Sequence, residues 1–279
     1  MFRHFMLFTK FRLSFLVVLS ALSGYLFAEG SDPVEITYLI LGGAFVTAAS
    51  NGANQIWERD LDKLMNRTAH RPIPTGAIQV STGIFLVILL LISGTVLLYL
   101  INLKSALLGL GAFVTYVFMY TPLKTKTPWA VLVGAFPGAI PPFLGAIAAT
   151  NQFGFLPGIL FFIQFTWQFP HFWAIAWVTH EDYKKAGFHL LPSIHGKSKQ
   201  SAFQIMLYSL ALIPFSLGPW LFGWTGNITF IVVASLGIVF FLYAYKLFLS
   251  LEDSDARKLM FASFIYLPII QFTYVLDKI

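Results

Sequence analysis

The sequence predicts an all-α, polytopic membrane protein with nine transmembrane helices, and three observations predict it. Of the 279 residues, 57% are hydrophobic and 11% charged, against roughly 25% charged in an ordinary soluble domain. A mean hydropathy of +0.75 with 30 Phe gives more apolar surface than a water-facing exterior tolerates. Apolar runs of about 20 residues, the length that crosses the hydrocarbon of a bilayer, recur along the whole chain. Finally, Lys and Arg concentrate in alternate segments between those runs.

The first run, 13–28, follows Arg3, Lys10 and Arg12 and has the flanks of a signal peptide. The topology is consistent only if it is retained, so we expect it to stay as a helix. The second, 36–57, opens after Asp32-Pro33 and passes into polar residues instead of stopping. Runs 82–101 and 105–120 follow Arg71-Pro72, and the latter stops at Thr121-Pro122. Runs 129–149 and 155–178 are separated by Asn151-Gln152, and 206–223 comes after Pro192. The last two, 228–249 and 258–275, close the chain.

With the N-terminus in the cytoplasm, every Lys and Arg except Lys104 and Lys278 lies on the inner side. That asymmetry sets the orientation. The expected organisation is a single domain, 1–279, with main cytoplasmic loops at about 58–81 and 179–205. Those loops follow the second and sixth runs, which hints at a duplicated four-helix unit, although no residue-level repeat establishes it.

The net charge of +6 arises without a contiguous basic tract, so nucleic acid is not an expected partner. The bilayer is. The absence of Cys removes disulfides, thiolate catalysis and Cys-ligated metals.

Chemistry concentrates at the end of the second run. At 100° per residue, Asn51, Asn54, Glu58 and Asp62 share an arc of roughly 80°, whereas Asp60 projects to the opposite side and reads as a solvated or salt-bridged residue. Amide and carboxylate oxygens on successive turns suit Mg²⁺, which takes one or two protein carboxylates and fills its other positions with phosphate oxygens and water. The plain alternative is a polar cap at a membrane helix end. Arg67-Thr-Ala-His-Arg71-Pro-Ile-Pro74 follows at once, and Arg forks grip phosphate oxygens. Its alternative role is orientation of the chain alone. His171 is the one ionisable residue of the largely apolar sixth run, where an imidazole is costly to bury without a partner. This makes it a candidate functional group.

The block Asn54-x3-Glu58-x3-Asp62, with Lys63-Leu-Met65-x-Arg67-Thr68-x2-Arg71-Pro72, resembles the metal-binding signature of the UbiA superfamily of intramembrane prenyltransferases. Tyr120-Thr-Pro-Leu-Lys124 is similar to that superfamily's Tyr-x3-Lys element. Gly138-Ala-Ile-Pro141-Pro142, Trp167-Gln-Phe-Pro170-His171-Phe172 and Asp182-Tyr183-x2-Ala186-Gly187 resemble its heme-modifying branch. Two departures stand out. Glu58 occupies a position that often holds Asp, and His180-Glu181-Asp182-Tyr183-Lys184-Lys185 replaces the more usual second Asp-x3-Asp.

The resemblance implies a UbiA-like bundle in the bacterial cytoplasmic (inner) membrane. It implies an enzyme that transfers the farnesyl group of farnesyl diphosphate to a vinyl group of heme b, with water completing the heme O side chain. Asn54, Glu58, Asp62 and Asp182 would hold Mg²⁺, and Lys124 would assist departure of the diphosphate. Arg67, Arg71, Tyr120, Asp182 and Tyr183 would bind substrate, and His171 would contact heme or move a proton. Hand-off of the product to a heme O-using enzyme or terminal oxidase would follow. The rival expectations are a related transferase acting on an aromatic or quinone precursor and, in a different class, a membrane transporter, which would carry its ionisable groups near mid-membrane.

Overall fold

The computed structural model describes residues 2–193 and 195–279. In chain order the helices are α1 (Phe2–Phe8), α2 (Phe11–Phe27), α3 (Pro33–Trp57), α4 (Arg59–Asp62), α5 (Val80–Ile101) and α6 (Leu103–Val114). A π turn (Thr115–Tyr120) and α7 (Thr121–Leu123) extend α6. Then come α8 (Ala130–Thr150), α9 (Phe155–Val178), α10 (His180–Lys185), α11 (Lys199–Ser216), α12 (Gly218–Leu221), α13 (Asn227–Ser250) and α14 (Asp253–Leu276).

Seven of these segments are long and apolar enough to cross a membrane: α3, α5, α6–α7, α8, α11–α12, α13 and α14. The other two expected runs are α2, a shorter apolar helix of 17 residues, and α9, whose interior carries Gln164, Gln168, Pro170 and His171. Large apolar side chains such as Phe85, Ile92, Phe162 and Ile231 stay exposed on the outside of the bundle, where lipid replaces water.

Helix ends follow their caps more closely than their hydropathy. Asp32 accepts the Val34 N–H at 2.7 Å, with Pro33 in the first turn and Glu35 beside it, so α3 opens at 33. Ser198 accepts the Ser201 N–H, so α11 starts at 199, seven residues before the apolar run. α14 likewise begins at Asp253, with Asp253 and Asp255 in its first turn where the helix dipole favours acids. α1 was not expected. It is pinned to α3 through Gln55 Nε2, which donates to the Leu7 and Phe8 carbonyls at 3.0 and 2.8 Å.

α8 is the wall shared by the two cores of the bundle. Its first half packs against α9 and its neighbours, while Leu144 and Ala148 belong to the second core, where α8 meets α2, α6 and α3. It also carries Pro137, Pro141 and Pro142. Pro142 has no N–H, which frees the Gly138 carbonyl four residues back. Gln164 and Gln168 of α9 donate to that oxygen at 2.7 and 2.9 Å. Gln164 Oε1 in turn accepts from Ser20 of α2 at 2.7 Å and from Gln271 of α14 at 2.8 Å. One helix break thus satisfies itself through a polar network that ties four helices together where no water can help. α2 can lie close against α8 because Gly24 and Gly145 lack a Cβ: one at Gly24 would collide with the Pro142 carbonyl, and one at Gly145 with the Ala21 carbonyl.

Candidate active site

The site lies where α3, α4 and α7 end together, beneath the loop that follows α9. α3 stops at Trp57, and Glu58 takes a non-helical conformation before the single turn of α4. The Asp62 N–H still reaches the Glu58 carbonyl at 2.7 Å, so the turn-by-turn spacing survives the break.

The acids meet cations. Glu58 Oε1 accepts from Lys124 Nζ at 2.8 Å, and both Asp62 oxygens accept from Arg71 Nη1, at 2.9 and 2.7 Å. All four side chains are largely withdrawn from solvent: Asp62 is 0% exposed and Arg71 14%, and Glu58 and Lys124 are buried. Ion pairs so enclosed are held by geometry, since each charge would be expensive to leave alone. Asn54 is also buried and donates its amide to Thr121 Oγ1 at 3.1 Å. The Thr121 hydroxyl donates to the Tyr116 carbonyl at 2.9 Å, which leaves the Asn54 carbonyl oxygen as an acceptor. Asn51, from the same stripe, does not join them. Its amide donates to the Thr9 carbonyl at 3.2 Å, anchoring the turn between α1 and α2.

Pro122 does not separate Tyr120 from Lys124. The chain widens into a π turn before the proline, with the Thr121 N–H reaching the Tyr116 carbonyl. Lys124 Nζ then lies 4.6 Å from the centre of the Tyr120 ring and 5.6 Å from that of Phe188. Tyr120 in turn meets Phe172 of α9 at 6.5 Å between ring centres. Phe143 packs instead with Phe153 and Phe161, and Phe169 and Trp173 with Tyr208. Among the aromatic residues of α8 and α9, Phe172 thus contacts the ring beside the charged cluster.

The second loop forms the rim. Asp182 accepts the backbone N–H groups of Arg67 and Asn66 at 3.1 and 3.3 Å and Lys185 Nζ at 3.3 Å, clipping the two loops together. Burial works against its charge, but those donors outweigh it and hold the carboxyl below the usual range. The Arg67 guanidinium lies 5.8 Å from the Tyr183 ring centre, and Tyr183 meets Phe188 edge-on at 5.5 Å. The His189 N–H reaches the Lys124 carbonyl at 2.8 Å, seating this loop on the site.

Asn54, Glu58, Asp62, Lys124, Arg71 and Tyr120 are therefore drawn into one cluster, with Asp182, Tyr183 and Arg67 around its edge. His171 stands apart on the α14 side. Its Nδ1 lies 2.7 Å from Ser263 Oγ, its ring stacks on Trp167 at 4.2 Å and 17°, and Phe264 approaches edge-on at 5.0 Å. Asp60 is exposed and pairs with Arg59 and Lys63, as its position on the helix suggests.

Sequence reasoning missed Lys10, Thr121, Phe188 and Ser263. In the sequence Lys10 reads only as an orienting charge. It sits in the αL turn between α1 and α2, half-buried. Burial, with repulsion from Arg71 and Lys124 outweighing attraction by Glu58 and Asp62, lowers its ammonium to about 7. It therefore shares the field of the cluster, although no local pattern in the sequence marks it.

Among the described residues no three His, Asp or Glu side chains converge as a ready-made metal cluster. The donor chemistry still fits a hard cation, because Asn54, Glu58 and Asp62 offer oxygens on adjacent turns at one buried place.

Buried acids and bases at one end of an apolar bundle, and not at its middle, suit an enzyme that handles a polyanionic head attached to a lipid-soluble tail. Residues 17–267 match the UbiA prenyltransferase family, and the chain belongs to that family. It is 49% identical to a protoheme IX farnesyltransferase of Cytophaga hutchinsonii, over 97% of this chain and 96% of that one. It is 48% identical to a protein of the same name from Flavobacterium psychrophilum, over 97% and 92%. Its fold is similar to that of a UbiA homologue from Archaeoglobus fulgidus solved with GPP and Mg²⁺, with a TM-score of 0.70, 19% identity and coverage of 98% and 99%. It is also similar to a structure of digeranylgeranylglyceryl phosphate synthase, with a TM-score of 0.81, 18% identity and coverage of 99% and 98%.

Proposed function

We propose that the chain makes heme O by transferring the farnesyl group of farnesyl diphosphate to a vinyl group of protoheme IX (heme b), with release of diphosphate. The observation that carries this reading is near-full-length identity of 43–49% to proteins named protoheme IX farnesyltransferase, joined to a buried cluster of oxygens and cations at the end of the bundle.

Breaking the allylic carbon–oxygen bond separates a carbocation from diphosphate, and the residues divide along that line. Glu58 and Asp62 are already neutralised by Lys124 and Arg71, so a polyanion arriving alone would bring uncompensated charge beside two carboxylates. Asn54, Glu58 and Asp62, with Asp182 from the rim, would hold Mg²⁺, which supplies the missing positive charge to the departing group. Lys124 and Arg71 can turn from their carboxylates to the phosphate oxygens, Lys10 adds charge from the α1–α2 turn, and Arg67 reaches in from the edge. Tyr120, Tyr183 and Phe172 offer aromatic faces to the positive fragment. The apolar bundle buries the isoprenoid tail and keeps water from the cation until the vinyl group has attacked. A water molecule then completes the hydroxyethylfarnesyl side chain and releases a proton. His171 contacts the heme or takes up a proton.

The chain would lie in the bacterial cytoplasmic membrane with its N-terminus and this site on the cytoplasmic side, and heme O would pass to an enzyme that uses it. The test is to supply purified protein with heme b, farnesyl diphosphate and Mg²⁺ and to look for heme O by mass spectrometry. Product is expected with Mg²⁺ and absent after chelation. Diphosphate release with an aromatic acceptor but never with heme would overturn the reading.

A further inference from the structure

We propose that Ser263 is a positioning residue that fixes the protonation of His171, so that the Nε2 lone pair is the one presented to heme. The inference rests on the heme reading above and assigns a role to α14, whose sequence carries no motif.

The argument follows a single hydrogen. A serine hydroxyl has one proton to donate. Ser263 Oγ lies 2.6 Å from the Met260 carbonyl, and a carbonyl oxygen can only accept, so the hydroxyl proton lies on that line. Were it turned to the imidazole instead, two bare oxygens would face each other at that distance. Having donated to Met260, Ser263 Oγ can only accept in its 2.7 Å contact with His171 Nδ1. The Nδ1 therefore carries the proton. A neutral imidazole has one N–H, so Nε2 is left as an acceptor, and among the described residues nothing donates to it.

The ring is also held in place. His171 stacks on Trp167, and Trp167 Nε1 donates to the Ser263 backbone carbonyl at 3.1 Å. One residue of α14 thus receives both members of the stacked pair on α9, the histidine through its side chain and the tryptophan through its backbone. Ser263 is fully buried and His171 nearly so, so water cannot scramble the arrangement. In a metal-binding histidine, the partner of the far nitrogen sets which lone pair reaches the metal. Ser263 does this for the iron of the heme substrate.

Two measurements test the proposal. In ¹⁵N NMR of histidine-labelled protein without heme, His171 should be the Nδ1–H tautomer in the wild type and shift toward a mixture in Ser263→Ala. An Nε2–H imidazole in the wild type would overturn the assignment whether or not heme binds. Heme b titrated into the full-length protein should bind Ser263→Ala about tenfold more weakly, with an absorption spectrum moved toward that of His171→Ala. Farnesyl diphosphate affinity should be unchanged, and Ser263→Thr, which keeps the hydroxyl, should restore the spectrum. Ser263→Ala added to His171→Ala should have no further effect on heme binding. Wild-type heme affinity and spectrum in Ser263→Ala, or an undiminished effect without His171, would overturn the role. A wild-type protein with the Nδ1–H signal that leaves heme unbound would overturn the heme reading itself and, with it, the purpose given to Ser263.

Discussion

Glu58 and Lys124 form a buried pair 2.8 Å apart, and the energetics of such a pair are lopsided. Removing one partner strands the other charge at a cost of about 3–5 kcal/mol, whereas replacing both with apolar groups is often neutral. We expect Glu58→Ala to unfold at lower temperature in detergent and Glu58→Leu/Lys124→Met to recover most of that loss, while neither makes heme O. Recovery of turnover in the double variant would remove the pair from the chemistry. Asp62→Ala should lower turnover by at least about 100-fold, the scale of losing one group that stabilises developing charge, with the protein still inserted. Lys10→Ala should raise the KM for farnesyl diphosphate about tenfold, equivalent to ~1.4 kcal/mol, without changing heme affinity. Equal losses for both substrates would make Lys10 a structural residue of the α1–α2 turn. Asn54, Glu58 and Asp62 were legible in the sequence because helical spacing is a local property. Lys10 and Ser263 were not, because neither residue has a neighbour in the chain that hints at its partner.

At the scale of elements, proline placement decides how the site is supported. Pro142 frees a carbonyl in α8, and Gln164 answers it while also accepting from Ser20 and Gln271. Gln168 answers only the carbonyl. Gln164→Ala should therefore destabilise by about 1–3 kcal/mol, the range for leaving buried polar groups unpaired, and Gln168→Ala by less. Thermal unfolding in one detergent would rank them, and equal costs would mean that the links to α2 and α14 contribute nothing. The nine apolar runs could be read from composition, but the starts of α11 and α14 could not, because hydropathy marks the lipid-facing length while caps and first-turn acids set where the helix begins. The π turn before Pro122 was equally hidden. There the N–H and the hydroxyl of Thr121 both reach the Tyr116 carbonyl, five residues back, one residue before the proline.

For the whole molecule, the proposed topology, drawn from the asymmetry of Lys and Arg, expects the loops at 58–81 and 179–205 on the cytoplasmic side. The chain has no cysteine, so single introduced cysteines report directly. Lys63→Cys and Lys184→Cys should react with an impermeant thiol reagent only in inverted vesicles, and Gln152→Cys only in right-side-out cells. The reverse pattern would invert the topology and move the site to the other side of the membrane.

The sequence by itself determined the solvent, the helical class, and the kind of chemistry, because apolar content, periodicity and the run of oxygens followed by arginines are all written along a few turns of chain. Only the tertiary structure decided that Asp62 meets Arg71, Glu58 meets Lys124, Asn51 holds the N-terminal turn, and His171 finds Ser263 on the last helix. Most of those partners lie far apart in sequence, and what joins them is the close approach of kinked helices in a medium where a buried polar group left without a mate is costly.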